Sequence, residues 1–450
     1  MKKTLSMAIA SITTLALALT ACGAAGGAQS TAGSASTAAD SANGSAKETS
    51  ITLWTYPIGQ WQKQDTVNGF IKKFNEKHPE IKVNVEYLDY KSGDDKVTTA
   101  IETKNTPDII FEGPERLVAN WGAKGLMVDL SDMFTDETKA DIEKTSKEVL
   151  AACQTPDGKF YEYPMTMTAH TMAINYDVFK QADALKYIDE ETRSWTTENF
   201  EKALKAVKDS GLVQYPAIVY AGGQGGDQGT RALVTNLYDG KYTDEGHTKY
   251  TADSAENIKA LEKIKQMHKD GLVNIDPSAQ ASDELQLFAN GTTAISLAWN
   301  AANEMNYASQ TQFTPFAMNF PSDDGKAELS GGIWGFGIFD NGDQARIDAA
   351  KEFIRFIADD AEQGPASVAA TGFFPVRSSF GNVYENTDNA DRMKVFSSFL
   401  PNLGDYYNVT KGWTEQRTAW WNMLQQIGSG KDVKEAANEF VTTANAAAAK

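Results

Sequence analysis

Between Ile51 and Phe111 the hydrophobic period of the sequence switches four times, and that rhythm restricts the fold more than any other feature. Ile51-Thr52-Leu53-Trp54 reads as a short strand ending in a turn at Pro57 and Gly59. Val67, Phe70, Ile71 and Phe74 then recur at helical spacing as far as His78-Pro79. Ile81, Val83, Val85 and Tyr87 alternate as the next strand, and helical spacing returns near Val97–Thr103. Ile109-Ile110-Phe111 is continuously apolar, as expected of a parallel strand buried on both faces. Strand, helix, strand, helix, strand means a doubly wound α/β unit. In such sheets the ligand crevice lies beyond the carboxyl ends of the strands, here Trp54–Gly59 and Glu112–Arg116.

Later segments repeat the style. Strands are expected at Ala173–Asn175, Ala217–Tyr220 and Thr293–Leu297, and helices near Asn199–Asp209, Ala255–Asp270, Asp343–Ala358 and Thr414–Ile427. The glycine-rich stretches Gly222–Gly229 and Ser330–Gly337 are expected as loops with close backbone approaches. There is no internal repeat.

The N-terminus follows a different logic. Met1-Lys2-Lys3 precedes a mostly apolar run from Leu5 to Leu19, then Leu19-Thr20-Ala21-Cys22. A basic start, a short apolar stretch and small residues at a cleavage point make a secretory signal peptide. The run is too short and too broken by Ser and Thr for a membrane span of about 20 apolar residues. Its Leu-Thr-Ala-Cys ending resembles a bacterial lipobox, which implies cleavage after residue 21 and lipid on Cys22. Stable anchoring needs more than one acyl chain. Residues 23–47 are almost all Gly, Ala, Ser and Thr, which bury too little surface to offset their ordering entropy. They are expected as a tether with an r.m.s. reach of about 25–30 Å.

Charge narrows the partners. With 60 acidic residues against 42 basic, the chain carries −18. Removing residues 1–21 takes two lysines and no acid, leaving −20. Such a chain has no electrostatic attraction for nucleic acid or for an anionic membrane surface. Two cysteines exclude a disulfide scaffold, and with Cys22 lipidated, Cys153 is expected as a small buried residue. The four histidines form no HExxH, and there is no GxSxG, Walker loop or cofactor motif. Asp340-Asn341-Gly342-Asp343 lacks the twelve-residue calcium pattern and fits a turn.

From Thr49 onward the order of motifs resembles the family 1 extracellular solute-binding proteins of ABC transporters, carbohydrate-binding relatives of maltose-binding protein. The carrying residues are Ile51–Trp54, Phe70-Ile71-Lys72-Lys73-Phe74-Asn75 with His78–Val83, Pro107–Phe111, Gly158–Pro164 and Ile174–Phe179. Phe288–Ala294, Gly331-Gly332-Ile333-Trp334-Gly335 and Gly372–Arg377 continue the series. The resemblance implies an α/β fold of the two-lobed periplasmic-binding-protein type (type II). Each lobe is a sheet flanked by helices, and the ligand sits in the cleft between them. It implies a signal peptide at 1–21, a lipidated Cys and tether at 22–48, lobe one at 49–163 plus 312–362, and lobe two at 164–311 plus 363–450. Tyr163-Pro164 matches the first hinge crossing. The implied role is a monomeric, non-enzymatic receptor on the outer face of the bacterial cytoplasmic membrane. It would pass a sugar or oligosaccharide to the membrane permease subunits of an ABC importer, with no cofactor.

Sugar sites pair an aromatic platform for the apolar C–H face with side chains that bond the hydroxyls. By position against the family, Trp299 is the expected stacking residue, followed by Trp334, with Gly332, in the glycine-rich segment. Trp54 and Tyr56 stand at the first crevice, and Trp413 precedes a long helix whose Trp420 and Trp421 are expected as packing residues. Glu112, Glu115 and Arg116 offer charge-assisted bonds to hydroxyls. Met167, Thr168 and His170 lie past the implied hinge, and Asn300 follows Trp299. Glu112 stands where maltose-binding protein has an aromatic and Thr168 where it has a carboxylate, so maltodextrin specificity is not implied. A secreted glycoside hydrolase and a receptor for another polar solute are the alternatives.

Overall fold

The computed structural model describes residues 48–90, 92–223, 226–404 and 410–450. The expected signal peptide, Cys22 and all of the tether but Glu48 lie outside them. Among the described residues there are eleven strands: β1 (Thr49–Thr55), β2 (Ile81–Tyr87), β3 (Ile109–Glu112), β4 (Tyr163–Ala169), β5 (Thr171–Asn175), β6 (Tyr215–Tyr220), β7 (Val273–Asp276), β8 (Thr293–Trp299), β9 (Pro315–Met318), β10 (Gly331–Ile338) and β11 (Phe374–Pro375). They form two sheets, ordered β11-β4-β10-β3-β1-β2 and β7-β6-β8-β5-β9. The chain is α/β, with two sheets flanked by helices.

β1 lies parallel to both β2 and β3, the ladder that the alternating and continuous apolar runs require. The helix Gln64–Lys77 buries Val67, Phe70, Ile71 and Phe74, its apolar stripe at helical spacing. Each sheet has its own buried apolar cluster. Leu53, Ile110, Phe111, Phe336 and Phe353 belong to the first, and Ile174, Val219, Leu261, Ile295 and Trp420 to the second. Cys153 is fully buried in the first cluster.

Two expectations change. The segment Ser330–Gly337 is mostly a strand, β10, wedged between β3 and β4 and antiparallel to both. Its glycines serve close approach within the sheet: a Cβ on Gly335 would meet the Tyr163 carbonyl oxygen at 2.3 Å. The strand pairing also moves the points where the chain passes between sheets. β4 continues from Tyr163 to Ala169 in the first sheet, so the passage falls at His170 rather than at Tyr163-Pro164. Pro315–Met318 pairs with β5 in the second sheet, beyond the expected boundary at 312. β11 returns to β4, which carries the first sheet past 362. These three expected positions came from the family pattern, whereas the passages between sheets are set by which strands pair.

Candidate functional site

A cavity of about 190 Å³ opens where the carboxyl ends of β1, β3, β6 and β8 converge. This is the position the crevice rule assigns in both sheets at once. From the first sheet it is lined by Pro57–Gly59, Tyr90, Glu115, Arg116 and Trp334. The second sheet contributes Tyr220, Gly226–Gly229, Gln280, Ser282, Ala298, Asn300, Asn303 and Asn306. His170, Phe373, Trp413 and Arg417 complete it. Gly59 has φ +52°, and a Cβ there would meet the Thr371 carbonyl oxygen at 2.3 Å, so the wall needs glycine at that point.

Charged groups beside the cavity are joined to one another. Asp94 accepts from Arg116 twice, from Nε at 3.0 Å and from Nη2 at 3.1 Å, and from the Tyr56 hydroxyl at 2.8 Å. It also accepts from Arg417 Nη1 at 3.2 Å, from the helix Trp413–Gly428 that packs with the second sheet. Arg116 Nη1 donates to Glu112, which accepts a second bond from the Gly113 N–H at 2.6 Å. Asp227 pairs with Arg231 at 3.0 Å. The guanidinium carbons of Arg116 and Arg417 lie 4.4 and 4.5 Å from the Trp413 ring centre, within cation–π range.

Burial pushes the Asp94 carboxyl up, but Arg116, Arg417 and the bonds from Arg116 and Tyr56 outweigh it and hold it below its ordinary value. Glu112 goes the other way: burial drives it up to about 8 against the pull of Arg116. Burial, then the nearby Arg231 charge, pulls His170 down to about 4, so its ring is neutral at pH 7. Its Nε2 and the Trp334 Nε1 are buried without a hydrogen-bond partner among the described residues. Trp334 stacks at 23° to Phe373 with centroids 6.4 Å apart, its ring partly exposed.

Six of the residues expected from sequence therefore line one cavity: Glu115, Arg116, His170, Asn300, Trp334 and Trp413. The others do not. Trp299 is fully buried, its ring edge-on to Phe288 at 5.2 Å and its Nε1 bonded to Glu304 at 2.7 Å, so no face is open for stacking. Trp54 is buried in β1 with Lys96 above its ring. Tyr56 and Glu112 stand behind the wall as partners of Asp94 and Arg116. Met167 and Thr168 are buried in β4, in register with Ile333 and Gly332 of β10, and none of these four strand positions lines the cavity. Trp413 is the first residue of its helix, and Trp420 and Trp421 are buried on that helix.

Sequence reading missed Tyr90, Tyr220, Asp227, Gln228, Gln280, Ser282, Asn303, Asn306, Phe373 and Arg417. One signal was visible: asparagines recur at 300, 303 and 306, directly after a strand.

Two α/β bodies meeting at a cleft of aromatic and polar side chains define a solute-binding protein fold. The sequence profile of the bacterial extracellular solute-binding proteins matches residues 60–364, and the chain belongs to that family. A search of curated protein sequences finds no match. Among solved structures, an ABC substrate-binding protein of Listeria monocytogenes in complex with cycloalternan is 18% identical. It covers 89% of this chain and 99% of its own, with a TM-score of 0.71. The GacH receptor of Streptomyces glaucescens, solved unliganded and with acarbose, is 15% identical with TM-score 0.70, over 88% of this chain and 97% of its own. A Thermotoga lettingae solute-binding protein bound to α-D-tagatose is 17% identical with TM-score 0.72, over 89% and 100%. These neighbours are binding proteins rather than enzymes. No helix among the described residues is long and apolar enough to cross a membrane.

Proposed function

We propose that this chain is a lipid-anchored receptor that captures a sugar or oligosaccharide outside the cell and delivers it to an ABC permease. The observation that carries the reading is the shared cavity, where the partly exposed Trp334 ring meets amide, hydroxyl and imidazole groups from both bodies. The charge pattern favours an uncharged ligand. Arg116 and Arg417 share Asp94, and Arg231 pairs with Asp227, so each cation near the cavity already has a carboxylate partner. That supports a sugar over a sugar phosphate. Trp334, His170, Glu115, Arg116, Asn300 and Trp413 are the contacts proposed for the ligand. Binding works by closure of the two bodies around it, driven by contacts made only in the closed arrangement. Anchoring rests on the lipobox ending at Cys22 and the tether to residue 48, with export directed by residues 1–21.

Isothermal titration of the purified chain against neutral mono- and oligosaccharides tests this. A dissociation constant near micromolar, about −8 kcal/mol, is expected for at least one of them. Binding to none, or turnover of a bound oligosaccharide, overturns the receptor reading. Replacing Cys22 with Ser should release the protein from the membrane fraction, and unchanged retention removes the anchor.

A further inference from the structure

The short helix Ala301–Tyr307 places asparagines on the cavity wall at intervals of three: Asn300 at its N-cap, then Asn303 and Asn306. Backbone partners determine how two of these amides point. Asn300 Oδ1 accepts the Asn303 N–H at 2.9 Å, which leaves its Nδ2 as a donor. Asn303 Nδ2 donates to the Ala298 carbonyl at 2.7 Å, which leaves its Oδ1 as an acceptor. The Asn306 amide bonds to no described residue and keeps both functions. Asn300 is 7% exposed, whereas Asn303 and Asn306 are both only partly buried. The row therefore begins at a buried position and continues to two more exposed ones. Three helical residues rise about 4.5 Å, comparable to the advance of one ring along a sugar chain, and six rise about 9 Å. Trp334 and Phe373 supply the aromatic wall of the same cavity.

Resting on the sugar-receptor reading above, we propose that Asn300, Asn303 and Asn306 form an amide ladder for a ligand at least two pyranose rings long. Asn300 donates to a hydroxyl of the end ring at the buried position, Asn303 accepts from the hydroxyls beside it, and Asn306 reads the second ring. The Asn306 amide does no structural task, which marks it as the clean position to test. Alanine there favours the helix, and Asn300→Ser keeps an N-cap acceptor while removing the Nδ2 donor.

The experiment is calorimetry on the full mature chain with glucose, maltose and maltotriose, with cellobiose and cellotriose, with isomaltose and isomaltotriose, and with xylose, xylobiose and xylotriose. Thermal melting confirms that each variant is folded. In whichever series binds, Asn306→Ala should weaken the di- and trisaccharide roughly three- to tenfold and leave the monosaccharide unchanged. Asn300→Ser should weaken every length by a similar factor. The ladder is overturned if Asn306→Ala leaves the disaccharide unaffected, or weakens the monosaccharide equally. If the parent protein binds none of the probes, the sugar reading fails and the ladder with it.

Discussion

Replacing Asp94 by Asn removes one negative charge from the point where the two bodies are tied together. In the parent, that carboxylate holds Arg116 by two bonds within its own body and Arg417 by one from the other, with its side chain 24% exposed. At an effective dielectric near 20, a pair of unit charges about 4 Å apart is worth about 4 kcal/mol in gross Coulomb energy. Desolvation offsets much of this in the intact pair. Removing one partner leaves guanidiniums stranded in a poorly hydrated site, at a cost of about 3 kcal/mol. Arg116 retains Glu112, while Arg417 is left with Asp227, its Nε 4.0 Å from the carboxylate. Spread over about 400 folded residues at about 2.1 cal/mol/K each, 3 kcal/mol lowers the melting temperature by about 4 °C. The folded Asp94 pKa lies below its unfolded value, so its stabilisation is present above the ordinary carboxylate range and lost as pH falls through the folded pKa. Scanning calorimetry on parent and variant should therefore show a gap that persists at pH 5 and narrows at pH 3 and below. No gap at pH 7, or one already gone at pH 5, would refute the reasoning. X-ray scattering adds a second reading, since loss of the Arg417 bond should raise the radius of gyration of the ligand-free variant.

Trp334→Ala should weaken sugar binding by about 1–2 kcal/mol with little change in stability, because its ring is only partly buried; titration calorimetry reads the first and thermal melting the second. Trp299→Ala should do the reverse and cost about 3–5 kcal/mol of stability by denaturant titration, since a fully buried ring leaves a cavity beside Phe288. Asp141 is held at about 2, where burial is overcome by bonds from Ser378, Ser379 and Arg377. It should contribute about 2 kcal/mol above pH 4, lost as pH falls toward 2, and Asp141→Asn should flatten that part of the stability–pH curve.

The parallel ladder of β1, β2 and β3 was legible because burial on one face and burial on two leave different periods in neighbouring residues. The helices Thr197–Ser210, Ala255–Lys269 and Gln344–Ala358 showed through the same local signal. What stayed hidden was set by distant pairing. Gly331–Ile338 looks like a loop in isolation, and only β3 and β4 on its two sides make it a strand. The helix Val433–Ala448 passed unread because its buried stripe, though at helical spacing, is mostly alanine, with Val433 and Phe440 its only large apolar members. In the site, residues adjacent along the chain to a strand end were found, as with Glu115, Arg116 and Asn300. Arg417 was not, since its partner Asp94 lies 323 residues earlier. Trp299 and Trp334 illustrate the remaining limit. Both are tryptophans in or directly after an apolar run, and only the packing of Phe288 and Glu304 around one ring separates core from wall.

The position of β10 governs the order in which this chain can fold. β3 and β4 belong to one sheet but are not neighbours in it; the strand that joins them arrives only at residues 331–338, more than 160 residues after β4. During synthesis, the first 330 residues can assemble β1, β2 and β3, and also β5 to β9, the complete second sheet. β4 has no partner strand until then. Its row of unpaired backbone groups must wait through that interval, in a chain whose long-range closures favour slow folding. A nascent chain stopped before residue 331 should thus carry one finished sheet and one with a missing centre, and proteolysis should cut it between β3 and β4.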